Sequence, residues 1–279
     1  MFKDLFKSKK MFWRRVVAGV TMAAFLTSGV FTGYEGNLPA AYADDDTEQA
    51  YSVVVPSKTF QRYAGNTRYE TAVEISKKNW YESYNVVLAR GDDFPDALAG
   101  AVLANSALVQ GPLLLTKPNE LDPLVLNELK RLNTNTVFIL GGTSAVSDEV
   151  VKKLRANGMQ VQRIQGQNRY ETAANIAATA VENSDKAFLA SGNDFADALS
   201  ISSYAAANGI PLLLTAPNKL PDATGKALKQ LGVTEVTLIG GEKAISAAVQ
   251  QELEKAGYTV DRLYGDDRYK TNVTILENL

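Results

Sequence analysis

Cysteine and histidine are both missing from this chain of 279 residues. Without cysteine the chain forms no disulfide and carries no thiol nucleophile, and without histidine it lacks the commonest general base and zinc ligand. Ser-His and Cys-His catalysis are therefore excluded. The chain also has no G-x-x-x-x-G-K-[ST] sequence and no G-x-G-x-x-G sequence after a predicted strand, which argues against a nucleotide cofactor. We expect no cofactor and no metal site.

What the chain does contain is a repeat of about a hundred residues. The run Gly65-Asn66-Thr67-Arg68-Tyr69 returns at 166–170 and at 265–269, with its arginines 101 and 99 residues apart. Three further blocks recur in the same order in the first two copies: 89–98 with 190–199, 112–116 with 211–215, and 139–142 with 238–241. This period is the size of a small domain. The sequence thus holds two full repeats and the beginning of a third, truncated one.

The first 43 residues have the features of an export signal. A basic segment that includes Arg14 and Arg15 precedes an apolar run at 16–31, and Ala41-Tyr42-Ala43 supplies small residues for a cleavage site. The alternative is an uncleaved anchor, but the apolar run is shorter than the ~20 residues that a bilayer span needs. We predict a signal peptide at 1–43, a flexible lead-in at 44–58, repeat units at 59–158 and 159–258, and the start of a truncated third unit at 259–279.

The charge of the mature protein restricts its partners. Removal of residues 1–43 leaves 23 basic and 29 acidic residues, a formal charge near −6. A general nucleic-acid binder or a binder of anionic membranes needs a basic surface. We therefore expect neither partner, and any anion that binds has to be held by local arginines.

Apolar runs of strand length alternate with helical patterns through both repeats. Strands are predicted at 59–65, 86–89, 113–115 and 137–140, with counterparts at 161–166, 187–190, 212–214 and 236–239. Helices are predicted after Thr67, Asn168 and Asp267, which are good N-cap residues, and at 124–132, 147–157, 223–231 and 247–256. Strict alternation predicts an α/β fold, in which each repeat is a parallel sheet with helices on both faces.

The third repeat has too few elements to fold by itself. Its one strand and one helix cannot bury the apolar side chains of Val273, Ile275 and Leu276, and an isolated helix of this length is marginal in water. We therefore expect residues 261–279 to pack on the second unit or to fray.

In such sheets the helix N-termini and any ligand gather at the carboxyl ends of the strands. This edge collects Arg68, Asp93 and Asp96 in the first unit, and Arg169, Asp194 and Asp197 in the second. Asp93 and Asp194 are candidate N-caps, with Asp96 and Asp197 at the third helical position, so helix capping explains these acids as well as function does. The D-x-x-D spacing is accordingly weak evidence for a metal site or for acid–base catalysis.

The repeated arginine is harder to explain as scaffold. A cation at the first helical position opposes the helix dipole by about 0.3–1 kcal/mol, yet it recurs at Arg68, Arg169 and Arg268. Two explanations stay open: an internal salt bridge to a carboxylate such as Asp93 or Asp96, or an anionic ligand bound at the helix end.

The motifs R-Y-x-T-A, G-x-D-F-x-D-A-L, P-L-L-L-T and I-G-G follow one another behind the signal peptide. Over Phe60 to Leu279 this combination resembles the cell wall-binding repeat 2 family of Gram-positive bacteria. The resemblance implies a surface protein in which three units, each with a flavodoxin- or Toprim-like core, pack as a triangle. It also implies non-covalent attachment to anionic wall polymers, often beside an N-acetylmuramoyl-L-alanine amidase domain.

We therefore expect a secreted cell-wall binding module at the cell surface, whose partner is an anionic polymer of the teichoic-acid type. Any catalytic domain would lie beyond Leu279, so we expect no enzyme activity in this chain. Two alternatives stay open: the N-terminal part of an autolysin or its modifier, and a structural component of a surface layer. The candidate ligand-binding residues are Arg68, Tyr69, Asp93, Asp96, Arg169, Tyr170, Asp194, Asp197 and Arg268.

Overall fold

The computed structural model describes residues 61–279, in which eight strands alternate with nine helices. The signal peptide predicted at 1–43 and the lead-in predicted at 44–58 lie outside the described residues. The strand predicted at 59–65 lies partly outside them, and its described part, 61–65, forms no strand. For that part the prediction is wrong.

The elements alternate as predicted, within one or two residues at each end. The helices are α1 (Arg68–Asn79), α2 (Pro95–Asn105), α3 (Pro123–Arg131), α4 (Asp148–Ala156), α5 (Arg169–Ala180), α6 (Ala196–Asn208), α7 (Asp222–Gln230), α8 (Ala247–Lys255) and α9 (Arg268–Asn278). The strands are β1 (Asn85–Arg90), β2 (Leu113–Thr116), β3 (Thr136–Leu140), β4 (Gln160–Ile164), β5 (Lys186–Ser191), β6 (Leu212–Thr215), β7 (Glu235–Ile239) and β8 (Thr259–Leu263).

The strands form two parallel sheets with the same order. The first sheet is β2-β1-β3-β4 and the second is β6-β5-β7-β8. In the first sheet Val87 pairs with Leu113 on one side and with Phe138 on the other, and all pairings in both sheets are parallel. The predicted α/β class and the equivalence of the two units are confirmed.

The last strand of each sheet comes from the beginning of the next sequence repeat. Strand β4 pairs with β3, and its Arg163 donates from Nη1 to the carbonyl oxygen of Gly141 at 2.8 Å. Strand β8 pairs with β7, and its Arg262 donates in the same way to Gly240 at 2.9 Å. Segment 61–65 carries the equivalent sequence, but residues 61–279 contain no preceding sheet with which it could pair. A strand forms here only where a neighbouring edge satisfies its backbone groups.

Helices cover both faces of each sheet. In the first sheet the buried residues Val86 and Leu88 belong to the apolar cluster under α1, α3 and α4. Their neighbours Val87 and Ala89 point the other way, into the cluster under α2 and α5. This alternation along one strand follows from the two-residue period of strand side chains, and it makes β1 apolar on both sides.

Helix α5 packs on both repeats, as a comparison of three equivalent isoleucines shows. Ile176 of α5 is 1% exposed and packs against α2 and the first sheet. Ile275 of α9 is 2% exposed and packs in the same way on the second repeat. Ile75 of α1, which has no preceding repeat among the described residues, is 40% exposed.

The opposite face of the same three helices shows the reverse pattern. Val73 of α1 and Ala174 of α5 are buried against the sheet that follows each of them. In α9, Val273 and Leu276 are 51% and 75% exposed, because no sheet follows them within the described residues. The expectation that the third segment packs on the second unit is therefore confirmed, through β8 and Ile275.

The N-caps predicted for these three helices are also confirmed. The side chains of Thr67, Asn168 and Asp267 each accept a hydrogen bond from the N–H of the third helical residue, at 3.2, 3.0 and 2.8 Å. In the third copy Lys270 replaces the glutamate of the first two, and its Nζ donates to Asp266 at 2.7 Å. In the third copy a lysine that donates to a carboxylate thus stabilises the turn at which the first two copies have a glutamate.

Candidate functional site

The carboxyl ends of the strands bring the repeated polar residues together, as predicted. The loop after β1 carries Asp93 and leads into α2, and the loop after β3 begins with Gly141. Helix α1 begins at this edge with Arg68, and α5 begins with Arg169. This edge is the candidate site.

Arg68 has a backbone partner but no acidic one. Its Nη1 donates to the carbonyl oxygen of Gly91 at 2.5 Å, and the residue is exposed. Within residues 61–279, no carboxylate lies within 4.0 Å of its guanidinium. The internal salt bridge to Asp93 or Asp96 of its own repeat is therefore not formed by Arg68.

Arg169 forms the salt bridge that Arg68 lacks, but its partner belongs to the other repeat. Its Nη2 lies 3.7 Å from Oδ2 of Asp93, and the guanidinium carbon lies 5.9 Å from the ring centre of Phe94. Its Nη1 donates to the carbonyl oxygen of Gly192, within its own repeat. Arg169 thus links the two repeats.

The same arrangement occurs one repeat further along. Nη2 of Arg268 lies 3.3 Å from Oδ2 of Asp194, and its guanidinium carbon lies 5.6 Å from the ring centre of Phe195. The rings of Phe94 and Phe195 are in contact, with their centres 5.8 Å apart. Sequence reasoning did not single out these phenylalanines. The recurrence of an aromatic residue beside the start of a helix was the signal that could have identified them.

The predicted N-cap role is wrong for Asp93 and holds in part for Asp194, which lies one residue before the N-cap position but accepts the N–H of Ala196 at 3.3 Å. The N-cap positions of α2 and α6 are occupied by Phe94 and Phe195, whose side chains cap nothing. Asp93 accepts a short local bond from the N–H of Phe94 at 2.9 Å and turns its other oxygen to Arg169.

Asp96 and Asp197 lie at the second helical position, one earlier than predicted. Burial raises the pKa of Asp96, and the neighbouring charge of Asp93 raises it further. The pKa of Asp197 is raised in the same way, by burial and then by the charge of Asp194. These carboxyls are partly withdrawn from water, so they are less accessible to a soluble ligand than the arginines.

The glycines after β3 and β7 make room for these carboxyls. A Cβ atom on Gly141 would lie 2.5 Å from Oδ2 of Asp96, and one on Gly240 would lie 2.3 Å from Oδ2 of Asp197. Both glycines have positive φ angles, +89° and +113°, which other residues rarely adopt. The first glycine of each Gly-Gly turn is therefore explained by backbone conformation and close packing.

The repeated tyrosines pack on a glycine of their own repeat. The ring of Tyr69 lies against Gly91, and that of Tyr170 against Gly192, where an added Cβ would come within 2.5 and 2.7 Å of the ring. Tyr269 is 78% exposed. Tyr69 and Tyr170 thus stabilise the loop whose carbonyl accepts the bond from the neighbouring arginine.

A further arginine at this edge was missed by the sequence reasoning. Arg90, at the end of β1, donates from Nε and Nη2 to Asp92 at 2.7 and 2.9 Å. This hydrogen bond lowers the pKa of Asp92 and satisfies the arginine. The equivalent residue of the second repeat is Ser191. Among the three arginines that begin helices at this edge, Arg68 is therefore the one that lacks an acidic partner within the described part of the chain. Arg262 of β8 also lacks one, but Gly240, Ile245 and Gln250 accept from its guanidinium.

Two further observations concern the whole described region. Residues 61–279 bring no three acidic side chains together in an arrangement that could hold a metal ion. No helix in this region is long and apolar enough to cross a membrane.

Comparisons with known proteins agree with the repeat architecture. The family described as cell wall binding domain 2 matches the chain twice, at residues 62–151 and 163–250. Two curated proteins of Bacillus subtilis (strain 168) are similar to it over 78% of its length: N-acetylmuramoyl-L-alanine amidase LytC, at 34% identity, and the amidase enhancer, at 36% identity. The chain covers 43% of the first protein and 29% of the second.

Two solved structures from Clostridium difficile are also similar to this chain. Cwp8 from Clostridium difficile superposes with a TM-score of 0.71 at 34% identity, over 77% of this chain and 37% of Cwp8. Cwp6 from the same organism superposes with a TM-score of 0.71 at 30% identity, over 84% of this chain and 38% of Cwp6. The chain thus spans less than half the length of each of these relatives.

Proposed function

The chain belongs to the cell wall binding domain 2 family, and from this premise we propose that it is a non-covalent anchor that binds an anionic polymer of the cell wall. The family implies association with the wall or the cell surface. In this proposal the anchor is exported, and it has no catalytic role of its own. In this proposal the relatives' amidase and amidase-enhancing activities belong to the parts of those proteins that this chain does not match, since it covers 43% of the first and 29% of the second.

The proposal rests on the exposure and the hydrogen bonding of Arg68. Its guanidinium is exposed at the start of α1, where the helix N–H groups also favour an anion, and within residues 61–279 its one hydrogen-bond acceptor is a backbone carbonyl. The remaining donors of the guanidinium fork can form paired hydrogen bonds to a phosphate or carboxylate. In this proposal a phosphate of the polymer binds to Arg68.

Arg169 and Arg268 supply secondary contacts in this proposal. Their acidic partners lie at 3.7 and 3.3 Å, and their side chains are 35% and 48% exposed, so each guanidinium keeps one face towards solvent. A polymer with regularly spaced anionic groups contacts several such sites at once, and the linked sites gain from effective concentration. No single deep pocket is needed.

A second candidate function, an accessory module of an autolysin, is favoured by the two Bacillus relatives. In that case the chain would place an amidase on the wall, and the same binding surface would serve it. The two functions differ in what is attached to the anchor, while the polymer contacts are common to both.

The test is sedimentation of the protein with purified cell walls. Arg68→Ala should weaken binding by about tenfold, since a bond between charged groups contributes about 1.5–3 kcal/mol, and Arg68→Lys should weaken it less. Arg155→Ala, which removes an exposed arginine from α4, is the matched control. Added salt should weaken binding of every variant. Full sedimentation of a folded Arg68→Ala protein at limiting wall concentration would rule out this site.

A further inference from the structure

A pocket of about 580 Å³ lies in the first repeat, between the start of α1 and the loop that joins β2 to α3. Its volume is in the range of small-molecule sites, roughly 300–1,000 Å³. The apolar part of its wall includes Tyr69 and Leu124, and the polar part includes Glu70, Glu74, Lys117 and Asp122. An aromatic ring beside several hydrogen-bonding groups suits a ligand with both apolar and hydroxylated faces, such as a sugar ring.

Three of the four charged groups of this pocket are absent from the second repeat, whereas the fourth, Glu70, accepts the N–H of Asn66 and recurs as Glu171. In the second repeat the positions of Glu74, Lys117 and Asp122 are occupied by Asn175, Ala216 and Pro221. The second repeat forms the same sheet and the same helices without these charges. The presence of Glu74 and Lys117 in the first repeat alone therefore calls for an explanation other than the repeated scaffold.

The partners of these groups leave them able to bind a ligand. Glu74 pairs with Lys77 at 2.8 Å and Lys117 with Glu120 at 3.0 Å, and all four side chains are at least 40% exposed. Exposed pairs of this kind contribute little to stability, so a ligand can replace one partner at low cost. Asp122 is different, because one of its oxygens accepts the N–H of Leu124 and caps α3.

The sign of the charge selects the ligand. The wall carries three carboxylates and one ammonium. Lys117 is paired with Glu120, and Glu74 is paired with Lys77. Among the described residues, the charges of Glu70 and Asp122 then have no basic partner and leave the pocket negative. A local negative potential repels phosphate and carboxylate groups and attracts a cation. A protonated amine on the sugar can form charge-assisted bonds to the carboxylates, while the ring lies against Tyr69.

We propose that this pocket binds an amino sugar with a free amine, as a component of the wall polymer. The inference rests on the proposed function for the source of the sugar alone. The arginines at the carboxyl ends of the strands then contact the anionic groups of the polymer. The pocket of the first repeat contacts a hexosamine whose amine is not acetylated.

The test is a titration of the isotope-labelled chain with glucosamine, N-acetylglucosamine and glucose, followed by amide chemical shifts in NMR. Glucosamine should shift the amides of Glu70, Lys117 and Leu124, with a dissociation constant on the order of millimolar. N-acetylglucosamine and glucose should bind at least fivefold more weakly, because they lack the positive charge. Equal binding of all three sugars, or shifts elsewhere in the chain, would overturn the proposal.

Two substitutions sharpen the test. Glu74→Gln should weaken glucosamine binding by about fivefold, while the control Glu149→Gln, which disrupts an equivalent pair with Lys152 on α4, should have no effect. Lys117→Ala removes a like charge and should strengthen glucosamine binding, whereas a phosphate site would be weakened. Lys219→Ala, in the equivalent loop of the second repeat, is its control. Weaker binding by the Lys117 variant would contradict the assignment.

The failure of this proposal is distinguishable from failure of the proposed function. Arg68→Ala should reduce sedimentation with walls and should not weaken the binding of glucosamine. A protein that binds glucosamine normally but does not sediment with walls would contradict the anchor function and support the pocket.

Discussion

Arg169 begins the first helix of the second repeat, yet its Nη2 lies 3.7 Å from Oδ2 of Asp93 in the first repeat. The same side chain donates to Gly192 and contacts the ring of Phe94. The unfavourable interaction of this cation with the helix dipole is therefore offset by groups from both repeats. This explains why an arginine can occupy the first position of the helix. Arg68 has the same place in its helix without a preceding repeat among the described residues.

The first prediction concerns this pair. A double-mutant cycle with Arg169→Ala and Asp93→Ala, measured by urea unfolding, should give a coupling of about 0.5–1 kcal/mol, because the pair is about one-third exposed. The matched cycle with Arg68→Ala and Asp93→Ala should give a coupling near zero. Equal coupling energies in the two cycles would show that Arg169 has no specific interaction with Asp93 that Arg68 lacks.

The second prediction uses the three equivalent isoleucines. Ile176→Ala and Ile275→Ala should each cost about 2–5 kcal/mol in the free energy of unfolding, because both side chains are almost fully buried. Ile75→Ala should cost less than about 1 kcal/mol, since that side chain is 40% exposed. Urea denaturation checks all three. A large loss from Ile75→Ala would mean that another part of the protein covers α1.

The third prediction concerns a polar cluster that only the first repeat has. Glu128 is buried and accepts bonds from Ser76 and Arg131. Burial alone would raise the pKa of Glu128, but these hydrogen bonds keep it below its usual value. Arg131→Ala should therefore cost about 3–5 kcal/mol, because it leaves a buried carboxylate without its partner.

The second repeat supplies the control for that cluster. Its equivalent residues are Ala177, Ala227 and Gln230, and both alanines are buried in an apolar cluster. The triple variant Ser76→Ala, Glu128→Ala, Arg131→Gln should therefore be far less destabilised than Arg131→Ala alone. A triple variant that is as unstable as the single one would show that the two repeats do not share interchangeable cores.

The fourth prediction separates backbone strain from steric contact. Gly158→Ala adds a side chain at a positive φ with nothing within 4 Å, so it should cost about 1 kcal/mol. Gly141→Ala has a similar φ and also meets Asp96 at 2.5 Å, so it should cost clearly more. Adding Asp96→Ala to Gly141→Ala should recover part of the extra loss in the free energy of unfolding. Equal melting temperatures for the two single variants would contradict the close packing.

The fifth prediction is a pH dependence. Burial raises the pKa of Asp96 above its ordinary value of 3.8, so ionisation of this carboxyl opposes folding as pH rises through the raised pKa. Asp96→Asn, which cannot ionise, should raise the melting temperature at neutral pH. The gain should disappear below about pH 4, where the carboxyl is protonated in the folded and unfolded states alike. Asp261→Asn, on the exposed side of β8, is the control.

Local features of the fold were predictable from the sequence. Helix α5 could be placed because Asn168 is a strong N-cap and an apolar face follows it, and β1 could be placed because Val86, Val87 and Leu88 form an unbroken apolar run. Alternation of such elements then determines the class of sheet. These signals lie within a few residues of one another.

The partners across the junction were not predictable in the same way. A tandem sequence has the same period wherever counting begins, so the period cannot say whether β4 completes the sheet before it or the sheet after it. That pairing decides that Asp93 meets Arg169 and does not meet Arg68. The wall-binding roles of the nine candidate residues stay a prediction, because ligand contacts depend on groups outside the chain.

The position of α5 has a mechanical consequence. If the chain is the anchor proposed above, a force that pulls the cell away from its surroundings loads the connection between the two repeats. Because α5 buries Ile176 in one repeat and Ala174 in the other, and β4 continues directly into α5, the repeats cannot separate by bending at a flexible linker. Separation has to expose both apolar faces of one helix. The junction is thus built to transmit tension as a rigid joint.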